Sequence, residues 1–182
     1  MKSVKHLFLL GTAMAVMSSS AFADTTGTQT FTANVTADTC TIANLQQHVD
    51  LGNVQKAIFA GLSIWHAPNQ TPVEVNFDVT GCGNNVTKVN VTPTFNGDAR
   101  VARMVVNTGT AKNIVFDTAK LGADDYSVDR LWIPGTTREF TLTNGAVRVP
   151  VTGVLSVGGD GDGDTITAGT LDFQMTFAFD FV

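Results

Sequence analysis

The sequence predicts an all-β fold, and three observations support the prediction. Phenylalanine and glycine are abundant, with 12 and 17 copies among 182 residues, and valine and threonine fill the stretches between turns. Apolar and polar residues alternate with a period of two over several short stretches, as in strands that bury one face. Few stretches repeat apolar residues at helical spacing. The chain is 43% hydrophobic and 15% charged, which excludes a disordered chain and a long solvated helix.

The charge balance of the chain argues against nucleic acid as a partner. Acidic residues outnumber basic ones by 16 to 11, which gives a formal net charge of −5. An acidic surface repels a phosphate backbone instead of attracting it. We therefore expect no nucleic-acid partner, and the length of the chain fits a single domain.

Residues 1–23 have the features of a secretory signal peptide. Two lysines near the start precede an apolar run from Leu7 to Met17, and Ala21-Phe22-Ala23 matches the small-x-small pattern that signal peptidase requires. As a helix this run would measure about 16 Å, which is too short to cross a bilayer. We expect cleavage between Ala23 and Asp24 and export of the chain that begins at Asp24.

The chain has two cysteines, Cys40 and Cys82, and both lie in the exported part. In an oxidising compartment the simplest expectation is one intramolecular disulfide. Closing a loop of this size would stabilise the fold by about 4 kcal/mol in the chain-entropy model. There is no CxxC motif, and two cysteines with only His48 and His66 do not make a zinc site. We therefore predict a structural disulfide and no metal.

The exported part is predicted to form short strands separated by turns. Alternation is clearest at Val73–Thr80, and Asn144-Gly145 is typical of a two-residue hairpin turn. Mixed periodicity at 54–65 indicates one helical turn or an irregular loop. Polar, glycine-containing stretches predict further loops. Strands are predicted at 40–42, 49–54, 86–95, 101–106, 113–116, around Phe140 and Leu142, and at 146–157, with loops at 119–130 and 158–164.

The end of the chain has the strongest strand pattern. Apolar residues occupy every odd position of this segment, and polar or small residues fill the even ones: Leu171, Phe173, Met175, Phe177, Phe179 and Phe181. A strand with this pattern buries one face. Strands that recur between turns, without long helices, indicate a two-sheet sandwich of immunoglobulin type.

The start of the exported chain also alternates. One face of the arm that begins at Asp24 is more apolar and consists of Gly27, Gln29, Phe31, Ala33 and Val35. Threonine and asparagine fill the opposite face. The alternative to a strand is a disordered polar terminus, against which the alternation argues.

These segments resemble the structural pilins of the bacterial chaperone–usher pathway, the type 1 fimbrial protein family. The resemblance covers essentially the whole exported chain. It includes a glycine fourteen residues from the end, Gly169, and an aromatic penultimate residue, Phe181. Its segments, in order, are FTANVTADTCTI (31–42), VDLGNV (49–54), VNFDVTGC (75–82), VTPTFNGDA (91–99) and TAGTLDFQMTFAFDFV (167–182).

The resemblance implies a signal peptide (1–23), an N-terminal donor-strand arm (24–36) and a pilin domain (37–182). The domain would be an incomplete sandwich with an open groove bordered by the strand from Leu171 to Phe181, with Gly169 before it. A periplasmic chaperone would lend a strand to this groove and hold the Val182 carboxylate. The arm of a neighbouring subunit would then replace the chaperone strand, a form of β-augmentation.

The implied product is an adhesive fimbria on the bacterial surface, exported through the periplasm and assembled at an outer-membrane usher. Its subunits would form a homo- or hetero-polymer, without a cofactor, and the fibre could present a host receptor-binding surface. One alternative is a single-domain tip adhesin or invasin-like subunit, which would not need a donor arm. A second alternative is a complete periplasmic or secreted sandwich that acts as a binding protein or an enzyme.

The chain offers little support for catalysis or metal binding. No GxSxG or HExxH motif is present, so we expect no catalytic residues. Asp160, Asp162 and Asp164 alternate as in a calcium loop, but an EF-hand opening at Asp160 would need Glu where Leu171 stands. We expect a solvated turn there, a solvated Asp124-Asp125 pair, and packing roles for Trp65 and Trp132 in preference to sugar stacking.

Overall fold

The computed structural model describes residues 28–35, 40–123 and 125–182. The predicted signal peptide, its cleavage site at Ala23 and Asp24, and Gly27 of the arm lie outside these residues. Ten strands are assigned: β1 Thr28–Val35, β2 Thr41–Ala43, β3 Gln47–Asp50, β4 Val73–Thr80, β5 Lys88–Phe95, β6 Met104–Val106, β7 Ile114–Asp117, β8 Arg138–Thr141, β9 Val147–Val157 and β10 Asp172–Phe181. Short 3-10 turns occur at Lys56–Phe59, Val128–Arg130 and Gly163–Thr165.

The strands form two five-stranded sheets that stack as a sandwich. The first sheet has the order β3-β1-β10-β5-β8, and the second has the order β2-β4-β9-β7-β6. Strand neighbours are antiparallel except β1 and β10, which run parallel. The prediction of an all-β, sandwich-like fold is therefore confirmed. No helix in the described part of the chain is long and apolar enough to span a membrane.

The core lies between the two sheets and is rich in aromatic side chains. Phe77 of β4 reaches across to β10, where its ring centroid lies 5.2 Å from that of Phe177 and 5.2 Å from that of Phe179. The Phe177 ring also lies 5.2 Å from Trp132, which is fully buried. Strands β4 and β10 bury every second residue. The alternation in the sequence thus defines which face of each strand enters the core.

The strands Val73–Thr80 and Asp172–Phe181 lie where the sequence predicted strands, with the terminal one beginning a residue later than Leu171. The predicted strand at 49–54 is displaced to Gln47–Asp50. Gly52 has a φ of +59°, which belongs to a turn and not to a strand, so extended structure ends before it.

The predicted hairpin at Asn144-Gly145 is correct only as a turn. Both residues have positive φ, +53° and +69°, as a type I′ turn requires, and Thr143 bridges Ala146. The flanking strands do not pair with each other, because β8 joins β5 in the first sheet and β9 joins β4 and β7 in the second. The turn therefore transfers the chain between sheets, and the predicted hairpin is limited to the Thr143–Ala146 bridge.

The predicted disulfide is present between Cys40 and Cys82, whose Cα atoms lie 4.2 Å apart. It joins the residue before β2 to the loop after β4. This loop continues to Thr87, whose amide donates to the Val182 oxygen at 2.8 Å. Cys40 is thereby fixed at the end of the sandwich where β10 terminates.

Candidate functional site

The candidate site is a groove in the first sheet between β3 and β10, and strand β1 fills it. Along β10 the pairing is parallel and runs from Thr28 opposite Asp172 to Val35 opposite Phe179. Along β3 the pairing is antiparallel and runs from Thr28 opposite Asp50 to Phe31 opposite Gln47. The arm that the sequence assigned to a neighbouring subunit is thus paired within its own chain.

The register of β1 aligns its alternation with that of β10. Four of the five predicted donor residues are opposite buried β10 residues: Gln29, Phe31, Ala33 and Val35 are opposite Phe173, Met175, Phe177 and Phe179. The fifth, Gly27, lies outside the described residues. The apolar alternation of the arm and that of the terminal strand therefore coincide at Phe31, Ala33 and Val35, whereas polar Gln29 stands opposite Phe173.

The β10 residues that border the groove point into the core between the two sheets. Phe173, Met175, Phe177 and Phe179 are at most 1% exposed, and Leu171, just before the strand, is 9% exposed. Phe181 is half-buried at the end of the strand. These positions place nearly all of the predicted groove residues on one buried face. The β10 side of the groove is therefore apolar from Phe173 to Phe179 on the face that points into the core.

Gly169 has a different role from that of a strand residue. It precedes β10, and a Cβ atom placed on it would lie 2.6 Å from the carbonyl carbon of Thr110. Only glycine permits this close approach of the two backbones, which the Ala111 amide reinforces by donating to the Thr170 oxygen at 3.1 Å. Gly169 therefore fixes the point at which β10 enters the sheet.

The C-terminal residue is held by the strand beside it. The Val182 oxygen accepts hydrogen bonds from the amides of Thr87 at 2.8 Å and Lys88 at 3.0 Å, and the Val182 amide donates to the Lys88 oxygen. The sequence predicted chaperone cations as partners of this carboxylate. In the single chain, backbone amides at the start of β5 hold it.

The length of the connection between β1 and Cys40 determines the polarity of the arm in its own groove. Four residues separate Val35 from Cys40, so the two Cα atoms can be at most about 18 Å apart. Antiparallel insertion would place Val35 near Asp172, about 30 Å along β10 from Phe181. Because Cys40 is fixed near that terminal end, the chain's own arm can enter only parallel to β10. An arm from a second molecule has no such restriction.

The carboxylates of the 158–164 loop make contacts with neighbouring segments of the chain. Within the described ranges, no group of three His, Cys, Asp or Glu side chains could hold a metal ion. In the 158–164 loop, Asp160 pairs with Arg100 at 2.9 Å and Asp164 accepts from the Gly61 amide at 3.3 Å. These two carboxylates serve the loop's own structure.

The candidate aromatic and acidic residues separate into core and surface. Trp132 is fully buried, as the packing interpretation requires, whereas Trp65 is partly exposed, with Arg100 5.4 Å from its ring centroid. His48 and His66 lie in separate segments, and Asp125 is exposed. Asp124 lies outside the described residues.

Sequence reasoning missed the strand pairing that completes the groove. Gln47–Asp50 pairs with the arm, and alternation around Val49 indicated a strand but not its partner. Comparison with known proteins gives no further identification: no family model and no curated protein sequence matches this chain. The functional argument therefore depends on the groove, its register and the connection that leads into it.

Proposed function

We propose that this protein is a structural subunit of an adhesive surface fimbria, assembled by chaperone-assisted donor-strand exchange through an outer-membrane usher. In this proposal it is an immunoglobulin-type sandwich that a donated strand completes. The observation that carries the proposal is the groove between β3 and β10. It accepts a short strand near the N-terminus whose apolar residues Phe31, Ala33 and Val35 stand opposite buried residues of β10.

Energetics supports a groove that is always occupied. Without β1, one edge of β10 and the pairing edge of β3 would present unpaired backbone groups, which favour aggregation. Water would also reach buried residues such as Phe173 and Met175. Exposing a buried side chain of this kind costs about 1.5–3 kcal/mol. A strand must therefore fill the groove at every stage, whether it comes from this chain, a chaperone or a second subunit.

Exchange requires only the replacement of one strand by another. The hydrogen bonds and apolar contacts that one strand makes are substituted by those of the next, so no cofactor or nucleotide takes part. In the fibre, residues 24–35 of one subunit occupy the groove of its neighbour. The alternative of a single-domain tip adhesin differs in one respect, since a tip subunit accepts a strand but does not have to donate one.

The pairing of β1 within its own chain favours a second candidate function. A chain that fills its own groove has a complete sandwich, as expected of a self-contained periplasmic or secreted binding protein. The two candidates differ in whether the arm leaves the groove. In the fimbrial proposal the arm must leave, and in the alternative it stays.

The deciding experiment expresses residues 24–182 in a bacterial periplasm with and without a fimbrial chaperone, followed by size-exclusion chromatography. The fimbrial proposal predicts a one-to-one chaperone complex that releases subunits into polymers. A monomer that ignores the chaperone and never polymerises would contradict it and leave the self-contained sandwich.

A matched pair of arm variants identifies the donated segment. Phe31→Asp alters a position opposite buried Met175, whereas Thr32→Asp alters the next position, opposite the partly exposed Thr176. We expect Phe31→Asp to block polymerisation while the chaperone complex still forms, and Thr32→Asp to polymerise normally. Normal polymerisation of Phe31→Asp would exclude the arm as the donor.

A further inference from the structure

The outer side of the groove is formed by residues 47–54, which we call the wall; it consists of β3 and the turn that follows. In the part of the chain that the structure describes, β3 pairs with no strand other than β1. It is the edge strand of the first sheet, so its second backbone edge faces away from the sheet. Pairing of the wall to the fold therefore depends on the arm.

A cavity open to solvent lies behind the wall, whose apolar side chains pack against the core but stay partly exposed. Its volume is about 330 Å³, and both the wall and the opposite sheet line it. The wall contributes Val49, Leu51 and Val54 to its lining, and the opposite sheet contributes Val73 and Leu155. Protein interiors contain few voids larger than a water molecule, and side chains beside a void lose dispersion contacts. The inner face of the wall is thus weakly attached.

A side-chain hydrogen bond connects the wall to the opposite sheet. Gln47 donates from Nε2 to the Asn76 oxygen at 3.0 Å, which connects β3 to β4. Asp50 accepts from the Gly52 amide at 2.8 Å, which is a contact within the wall itself. By contrast, β4 pairs with β9 over seven consecutive positions.

We infer that the arm and the wall open as one local unit. When β1 leaves the groove, Gln47–Asp50 lose their strand pairing and the wall swings away from the cavity, while β10 stays paired to β5. An incoming strand then builds first on β10 and recaptures β3 afterwards. The part that concerns the incoming strand depends on the proposed function, whereas the coupling of arm and wall is a property of the single chain.

Hydrogen exchange followed by mass spectrometry tests the coupling on the monomer of residues 24–182. We expect the strand amides of 28–35 and 47–50 to exchange at matching rates, about tenfold or more faster than those of β9, as separate cooperative units do. Wall amides protected as strongly as β9 while the arm exchanges would overturn the inference. Exchange of all strands at one common rate would overturn it equally.

Two variants act on the wall from opposite directions. Gln47→Ala removes the connection to Asn76 and should accelerate exchange of arm and wall together by about threefold to tenfold. Val73→Leu fills the cavity from the opposite sheet and should slow both segments. A change confined to one of the two segments contradicts the coupling. These exchange measurements need no polymer. They therefore test the coupling of arm and wall even if the protein does not assemble into a fibre.

Discussion

The two edges of the first sheet are built differently. At the β8 edge, the Arg138 guanidinium lies 4.3 Å from the ring centroid of Trp132 and 5.0 Å from that of Phe140. Burial lowers the pKa of Arg138, an effect that the nearby Asp129 carboxylate opposes. At the β3 edge, the wall has a cavity behind it and pairs with the arm.

Behind the β8 edge, the loop that follows β7 is anchored by a charge pair. The Arg103 Nε atom donates to Asp117 at 3.0 Å, and Asp117 is fully buried. The Asp117 carboxylate also accepts from the Ala119 amide at 3.0 Å, and the Thr118 hydroxyl contacts the backbone of Trp132. Side-chain contacts therefore tie this loop to Arg103 and to the backbone of Trp132, which packs against the β8 edge.

The difference indicates which edge the proposed exchange would use. An edge held by interlocking side chains opens only when the core opens, whereas an edge held by one terminal strand opens when that strand leaves. A subunit that exchanges strands needs one edge of each kind, because the sandwich must remain folded while the groove changes its occupant. The predictions below test each edge in turn.

Phe177→Asp should have the largest effect, since Phe177 contacts both Phe77 and Trp132 and serves both sides of the sandwich. An unpaired buried carboxylate costs several kcal/mol, a large part of the roughly 5–15 kcal/mol that stabilises a domain. We expect no folded monomer and no chaperone complex from periplasmic extracts. The exposed Gln174→Asp on the same strand should fold, and Phe177→Leu should be recovered in part. Wild-type yield from Phe177→Asp would contradict the core assignment.

Cys40→Ser should destabilise the monomer by about 4 kcal/mol, because the bond closes a long loop in the unfolded chain. The disulfide also fixes the base of the arm at the terminal end of β10, so the groove edge should be affected as well. The measurement is urea unfolding of the periplasmic monomer. Cys82→Ser and the double variant should match Cys40→Ser, and a clearly larger loss in the double variant would indicate roles beyond the disulfide.

Arg103→Met should cost about 3 kcal/mol, because it leaves the Asp117 carboxylate buried without its partner. The loss should appear at the β8 edge, as faster hydrogen exchange in residues 118–131, and not in the wall. The double variant Arg103→Met/Asp117→Asn should regain part of the loss, since the neutral amide is cheaper to bury. Equal acceleration in the wall would show that the two edges are not independent.

Sequence alone predicted much of this architecture because burial follows a period of two. The alternation at Val73–Thr80 and at Leu171–Phe181 defined strands and their buried faces, and the cysteine pair defined the disulfide. In the single chain Gln29, Phe31, Ala33 and Val35 lie opposite buried β10 positions, and their role as donor residues stays a prediction. Local pattern is informative where one face of a strand must be dry.

The remainder depended on contacts between segments far apart in sequence. Asn144-Gly145 specifies its own backbone geometry, but which sheet each flanking strand joins is decided by β5 and β4. The pairing of Gln47–Asp50 with the arm could not be predicted either, because the local sequence of neither segment indicates which strand it pairs with. The polarity of β1 follows from the connection to Cys40 and from where the disulfide places that residue.

Lengthening that connection should have the smallest energetic effect and the most specific structural one. Insertion of ten Gly/Ser residues after Val35 should change stability by only about 1 kcal/mol, since closure entropy grows slowly with loop length. The longer connection can reach the far end of β10, so the arm becomes free to enter antiparallel.

Paired cysteines at Thr28 and Asp172 should cross-link in the original chain, where these residues are opposite each other. Cysteines at Thr28 and Asp180 should cross-link only after the insertion, as judged by peptide mass mapping with Cys40–Cys82 intact. Cross-linking of Thr28 to Asp180 in the original chain would refute the argument that the short connection determines polarity.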